Sequence, residues 1–167
     1  ALSMGNWVLR GAVQSMRTFV GDNVPPLFDE VILTAADEDD DTLLMGHKLA
    51  PLLRGCRRVT VYFNHQDWAL KASDVAMGNP DRLGRSGPCL TPECPQKVAV
   101  VNVSTKIIWN ASGPNTWTKD PNGHQYFRNN ARVRQDICQV LGGKLDDDFV
   151  RDKERRRNDS GTYWRLE

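Results

Sequence analysis

A chain of 167 residues with 40% apolar and 26% charged side chains suits a single domain and carries enough apolar mass to bury a core. Its 22 basic and 21 acidic residues leave a formal charge of +1, so charge gives no argument for nucleic acid or an anionic membrane as the main partner. No apolar run is long enough to span a bilayer, and four cysteines are too few and too scattered for a disulfide-built scaffold.

Trp7, Val8, Ala12, Val13 and Met16 recur at helical spacing and predict a helix over residues 6–17, broken by the Gly and Pro residues of 21–26. Residues 28–36 form a short apolar, β-branched run of the kind found in buried parallel strands. Five acidic residues follow, Asp37 to Asp41, and read as the start of a helix over 42–53, where the helix dipole favours them; a calcium loop is the alternative. A second strand is expected at 58–64, leading through His65-Gln66-Asp67 into a helix over 68–77. A Gly/Pro/Ser-rich loop covers 78–96, a third strand 97–104, and an irregular stretch with Trp109 and Trp117 runs to Gly123. The two tryptophans line an acyl pocket or, more simply, pack the loop. A last helix is expected over about 129–141, with Val133, Ile137, Val140 and Leu141 on one face.

Strands alternating with helices indicate βαβ units, hence an α/β fold with a parallel sheet and helices on both faces. Three strands are few for such a sheet, and such a sheet seldom starts on a helix. The expectation is therefore the C-terminal part of a larger sheet whose N-terminal strands are missing: a partial domain over 1–142 and a charged, peripheral tail over 143–167. Cys56 and Cys138 are expected as buried thiols; Cys89 and Cys94 share a Pro-rich loop as free thiols or a local disulfide, and make a poor zinc site. Of three Asn-x-Ser sites, at Asn102, Asn110 and Asn158, the first falls inside a predicted strand.

The candidate chemistry begins at Ala1-Leu2-Ser3-Met4-Gly5. Small-x-Ser-x-Gly is the form of a nucleophile elbow, a strained strand-to-helix turn that exposes a serine and needs small residues on either side. A helix follows at once, and its first amides favour negative charge. A serine nucleophile requires a histidine to take its proton and a carboxylate to orient that histidine. Asp67 lies just past the second strand and His124 in the loop after the third, so the order is serine, acid, base, all at carboxyl ends of strands. Asp37 also follows a strand and is the alternative acid. Ser3 as a helix N-cap, Asp67 as the cap of the following helix and His124 as a structural loop histidine are the competing readings. His65 precedes the acid, against that order, and His47 reads as a helix-surface residue.

The blocks Ser3–Arg10, Val31–Asp39, Arg58–Ser73, Arg82–Gly84 and Gly123–Phe127 resemble, in this order, a bacterial α/β-hydrolase family of uncharacterised function described as esterase- or lipase-like. The resemblance covers roughly 1–142 and implies Ser3 as nucleophile, Asp67 as acid and His124 as base. It departs at Leu2, where the family often has histidine, and at residues 106–122, which look long. It also implies that the strands before the elbow, and the loop giving a second oxyanion donor, are absent. The reading that follows is a serine esterase acting on a small-molecule ester, with the Met4 N–H as one oxyanion donor and no metal or organic cofactor required. The alternative is a catalytically incomplete fragment that binds protein or self-associates through an exposed sheet edge.

Overall fold

The computed structural model describes residues 1–21, 24–78, 81–89, 97–104, 120, 122–144, 151–155 and 162–166. Three apolar runs become the parallel strands β1 (Phe28–Thr34), β2 (Cys56–Phe63) and β3 (Val98–Asn102), with Thr34 beside Tyr62 and Phe63 beside Asn102 in register. Apart from Arg57, the whole of β2 is buried, as a central strand covered on both faces should be. Ahead of β1, the main chain of Ala1–Ser3 lies alongside it: the Thr34 N–H donates to Ala1 O and the Ser3 N–H to Thr34 O.

The alternation of side chains along the strands divides the core in two. On one face, Val31, Leu33, Val59 and Val61 pack with Leu9 and Val13 of helix α1 (Gly5–Val20). On the other, Tyr62, Val101 and Val103 pack with Val133 and Ile137 of a second long helix, Ala131–Leu141. Helices therefore cover both faces of the sheet. The buried stripe of α1 runs through Asn6 and Val13 and leaves Val8 exposed. This is a different stripe from the one expected, because the turn at Ser3 sets how the helix rolls onto the sheet.

Between β1 and β2 the expected helix over 42–53 does not form. Residues 40–51 are a succession of turns that ends in a single helical turn, α2 (Leu52–Gly55). Gly46, at φ +84°, interrupts any helix there, and Leu43, Leu49 and Leu52 still reach the core from the turns. The acidic run meets side-chain cations instead of a helix N-terminus: Arg10 holds Glu38, Lys48 holds Asp39, and Arg82 lies among Asp37, Asp39 and Asp74. Among the described residues, no group of three or more His, Cys, Asp or Glu is arranged to hold a metal ion.

Helix α3 (Trp68–Met77) follows β2 with the bounds its periodicity predicts. A helical turn, α4 (Leu83–Ser86), inserts Leu83 into the core. After the loop before His124 come the single turn α5 (Tyr126–Asn129) and the helix introduced above, α6, capped by Asn130, whose Oδ1 accepts from the N–H groups of Arg132 and Val133. Cys138 is exposed and not buried as expected, and Leu141 is exposed too, because both lie off the stripe of α6 that carries Val133 and Val140. Cys56 is buried, while Cys94, Trp109, Trp117, Asn110 and Asn158 lie outside the described residues.

The charged C-terminal segment is not wholly peripheral. It supplies β4 (Asp152–Arg155) and β5 (Thr162–Arg165), giving the order β1-β2-β3-β5-β4 with β5 parallel to β3 and β4 antiparallel at the edge. Arg151 enters the interior and donates from Nε to Asp136 Oδ1 at 2.8 Å, while the Tyr62 hydroxyl donates to Asp136 Oδ2 at 2.6 Å. A charge pattern that reads as solvated thus contains one arginine buried against a carboxylate.

Candidate active site

Three loops meet at the carboxyl ends of β1, β2 and β3, and each brings one polar side chain. Ser3 sits in the turn into α1 with φ +48°, one of two non-glycine residues among those described with positive φ. That conformation is costly for a residue with a Cβ and lifts the serine off the path of the helix. The capping position of α1 falls to Met4 with no side-chain cap, so Ser3 is not an N-cap serine. Its hydroxyl meets His124 Nε2 at 3.0 Å. The expected steric need for a small residue at Gly5 is not seen: a Cβ there would have open space among its neighbours.

Asp67 is fully buried and uses its two oxygens for different tasks. Oδ1 accepts from the Leu70 N–H at 3.0 Å and caps α3; Oδ2 lies 2.8 Å from His124 Nδ1. The cap and the contact with the histidine, which sequence presents as competing roles, coexist in one carboxylate. Because a carboxylate can only accept, the ring proton belongs on Nδ1, which leaves the Nε2 lone pair directed at the Ser3 hydroxyl.

The hydrogen bond that His124 donates to Asp67 raises the pKa of His124 above its ordinary 6.5. Partial burial opposes that rise, and the charges of Asp67, Asp120 and Asp37 reinforce it.

Asp37 does not take this place. Its Oδ1 accepts from the Ser73 hydroxyl at 2.9 Å and stands 3.4 Å from Arg82 Nε. Its backbone carbonyl accepts the indole N–H of Trp7, tying the acidic run to the first turn of α1. His65 is exposed and stacks edge-on against Phe63, 5.0 Å between ring centroids; His47 is exposed on a turn, 3.2 Å from Asp41.

The amides at the serine turn are nearly all used. Ser3 N–H donates to Thr34 O, Gly5 N–H to Leu2 O, Asn6 N–H to Ser3 O and Trp7 N–H to Met4 O. Among the described residues the Met4 N–H has no such acceptor, and it stands at the positive end of the α1 dipole. The Asn6 side chain, fully buried, donates to Ser3 O at 2.8 Å and braces the turn from below.

Two further features support the site, and neither carries a local signal in the sequence. The Tyr126 hydroxyl, buried two residues after His124, accepts from the Ala35 N–H at 2.6 Å and donates to Tyr62 O at 2.8 Å, bridging the ends of β1 and β2. Burial raises its pKa far above that of an ordinary tyrosine, so it remains a neutral bridge. Gly84 lies against the backbone of Ala35 and Ala36, where an added Cβ would come within 2.2 Å of Ala36 N. The glycine of Arg82-Leu83-Gly84 is a clearance requirement, and only its place in a resembling block hinted at it.

No curated protein and no solved structure matches this chain. The family model described as "Alpha/beta hydrolase of unknown function (DUF900)" matches residues 1–142, which include the serine turn, both loops and the strands between them. The parallel sheet flanked by helices agrees with that match, and the chain belongs to this family of α/β hydrolases.

Proposed function

We propose that this chain carries a serine hydrolase site that cleaves carboxylic esters through an acyl-enzyme, with Ser3 as nucleophile, His124 as general base and acid, and Asp67 as the group that orients the imidazole. One observation carries the reading: an unbroken hydrogen-bonded series from Ser3 Oγ through His124 to Asp67, starting on a positive-φ serine at the head of a helix.

In the first half-reaction Ser3 Oγ bonds to the ester carbonyl carbon while its proton passes to His124 Nε2. The carbonyl oxygen becomes an oxyanion that accepts a hydrogen bond from the Met4 N–H, an interaction of a kind whose loss costs about 10²–10³ in rate. The tetrahedral intermediate collapses, the C–O bond to the alcohol breaks, and His124 returns the proton to the departing alkoxide. Water then repeats the sequence against the acyl-Ser3 ester, with His124 accepting the water proton and finally reprotonating Ser3. Throughout, Asp67 stabilises the imidazolium that forms without taking its proton.

The test is to incubate the chain with a short-chain p-nitrophenyl ester, quench early, and weigh the Ser3 peptide. An acyl mass on Ser3 that forms with a burst of nitrophenolate is the expected result. Turnover with no acyl adduct, or an adduct elsewhere, would sink the proposal.

A further inference from the structure

Between the acid and the base stands a residue that neither role accounts for. Asn64 follows β2 directly, is fully buried, and makes four hydrogen bonds to three separate segments. Its backbone N–H donates to Gly84 O at 3.0 Å, and its backbone carbonyl accepts from the Asp67 N–H at 3.0 Å. Its side-chain Oδ1 accepts from the Gln66 N–H at 3.0 Å, and its Nδ2 donates to Gly123 O at 2.6 Å. Gln66 and Gly123 are the residues immediately before Asp67 and His124. The carboxamide therefore spans the two loops one residue upstream of each functional side chain.

The other half of the joint is shaped to receive it. Gly123 has φ +64°, and a Cβ on it would lie 2.7 Å from Asn64 Nδ2 and 2.9 Å from Gln66 O. A side chain there would be strained in backbone and would push the two loops apart. A second strut, from the Trp68 N–H to Asn122 O at 2.8 Å, holds the same loops just beyond the clasp. Serine or alanine at position 64 cannot span this distance with both a donor and an acceptor, and aspartate would face Gly123 O with another acceptor.

We infer that Asn64 is a positioning residue: its carboxamide clasps the Asp67 turn to the His124 loop and fixes the separation of acid and base. The inference deepens the proposed function and rests on it for the meaning of acid and base; the clasp itself is a statement about geometry. Misplacing a reacting group by about 1 Å can cost on the order of 100-fold in rate. Asn64→Ser keeps an oxygen that can accept from the Gln66 N–H but loses the reach to Gly123, so it removes one arm of the clasp and leaves the other.

The experiment is an NMR pH titration of His124 in the full chain and in Asn64→Ser and Asn64→Ala, beside the rate of Ser3 labelling by a fluorophosphonate. The carboxylates facing His124 are Asp67, Asp120 and Asp37, and the hydrogen bond to Asp67 is the largest cause of its raised pKa. In the folded variants His124 is expected to titrate at lower pH than in the parent chain, with labelling slowed by about 10–100-fold. A folded variant in which His124 titrates as in the parent would overturn the inference, whatever its melting temperature. Should neither variant fold, solvent exchange of the Asn64 side-chain amide in the parent chain decides: protected protons support the clasp, freely exchanging ones refute it. A parent chain that does not label, in a protein whose His124 titration still depends on Asn64, would remove the hydrolase reading and leave the clasp standing.

Discussion

Asp37 and Asp67 are two solutions to one local problem. Each lies a few residues past the carboxyl end of a buried parallel strand, each is almost wholly buried, and each follows an apolar run that ends near a turn. Asp67 faces an imidazole at 2.8 Å, whereas Asp37 faces a guanidinium and a serine hydroxyl. A guanidinium keeps its proton, so the Asp37 contact is a fixed charge pair; an imidazole can release and accept one, so the Asp67 contact can take part in a proton transfer. Position along the chain nominates both carboxylates, and the partner alone separates them. Arg82 directly precedes α4 and His124 lies in the loop before α5, so the distinction is made by tertiary structure.

The comparison can be broken at several points. The largest effect is expected on the residue that only one carboxylate serves: Ser3→Ala should lower ester turnover on the order of 10⁶-fold, measured against a p-nitrophenyl ester. Next, Asp67→Asn should slow fluorophosphonate labelling of Ser3 by about 10⁴-fold, while Asp37→Asn slows it less than about 10-fold. Asparagine keeps the acceptor that caps α3, so a comparable loss in both variants would show that the partner does not separate the two carboxylates.

Stability should divide the other way. Arg82→Met leaves Asp37, Asp39 and Asp74 facing one another without the guanidinium, and is expected to destabilise by about 3 kcal/mol in urea unfolding. His124→Gln should change stability by less than that. A smaller loss, about 1–3 kcal/mol, is expected for Gly84→Ala, because the new methyl meets the rigid backbone of Ala35 and Ala36.

The gentlest probe is pH. In the proposed mechanism His124 is neutral when it accepts the serine proton, and its pKa is raised chiefly by the Asp67 hydrogen bond. The rising limb of kcat/KM should therefore lie above about pH 6.5, the ordinary histidine value, with activity increasing as pH rises through it. A limb at or below that value would mean that the Asp67–His124 bond is not made in the free enzyme.

What could be read in the sequence follows from the range of the forces involved. The three parallel strands were legible because burial on both faces demands unbroken apolar, β-branched runs such as Val59–Val61 and Val98–Val101. Helix α3 was legible because its start carries a local signal, a carboxylate that caps it from position 67. The order Ser3, Asp67, His124 was visible as well, since strand ends and loop positions are local. The acidic run misled because its cations come from Arg10, Lys48 and Arg82, residues far along the chain from most of their partners, and no periodicity announces them.

The strands β4 and β5 were hidden for a related reason. β4 is charged at every position and β5 is only four residues long, so neither has an alternation long enough to register, and their place at the sheet edge rests on pairing with β3 and with each other. Asn64 read only as the end of a strand. Its partner Gly123 is 59 residues away, and the positive φ that makes a glycine necessary there emerges only when the two loops meet.

The central claim is that Ser3 is an activated nucleophile. It is tested most directly by treating the folded chain and its Ser3→Ala variant with a fluorophosphonate probe and locating any adduct by mass spectrometry. A single adduct on Ser3, absent from the variant and slowed by Asp67→Asn but little by Asp37→Asn, is the predicted result. A folded chain that takes no label at Ser3, or labels equally well without Asp67, would contradict it.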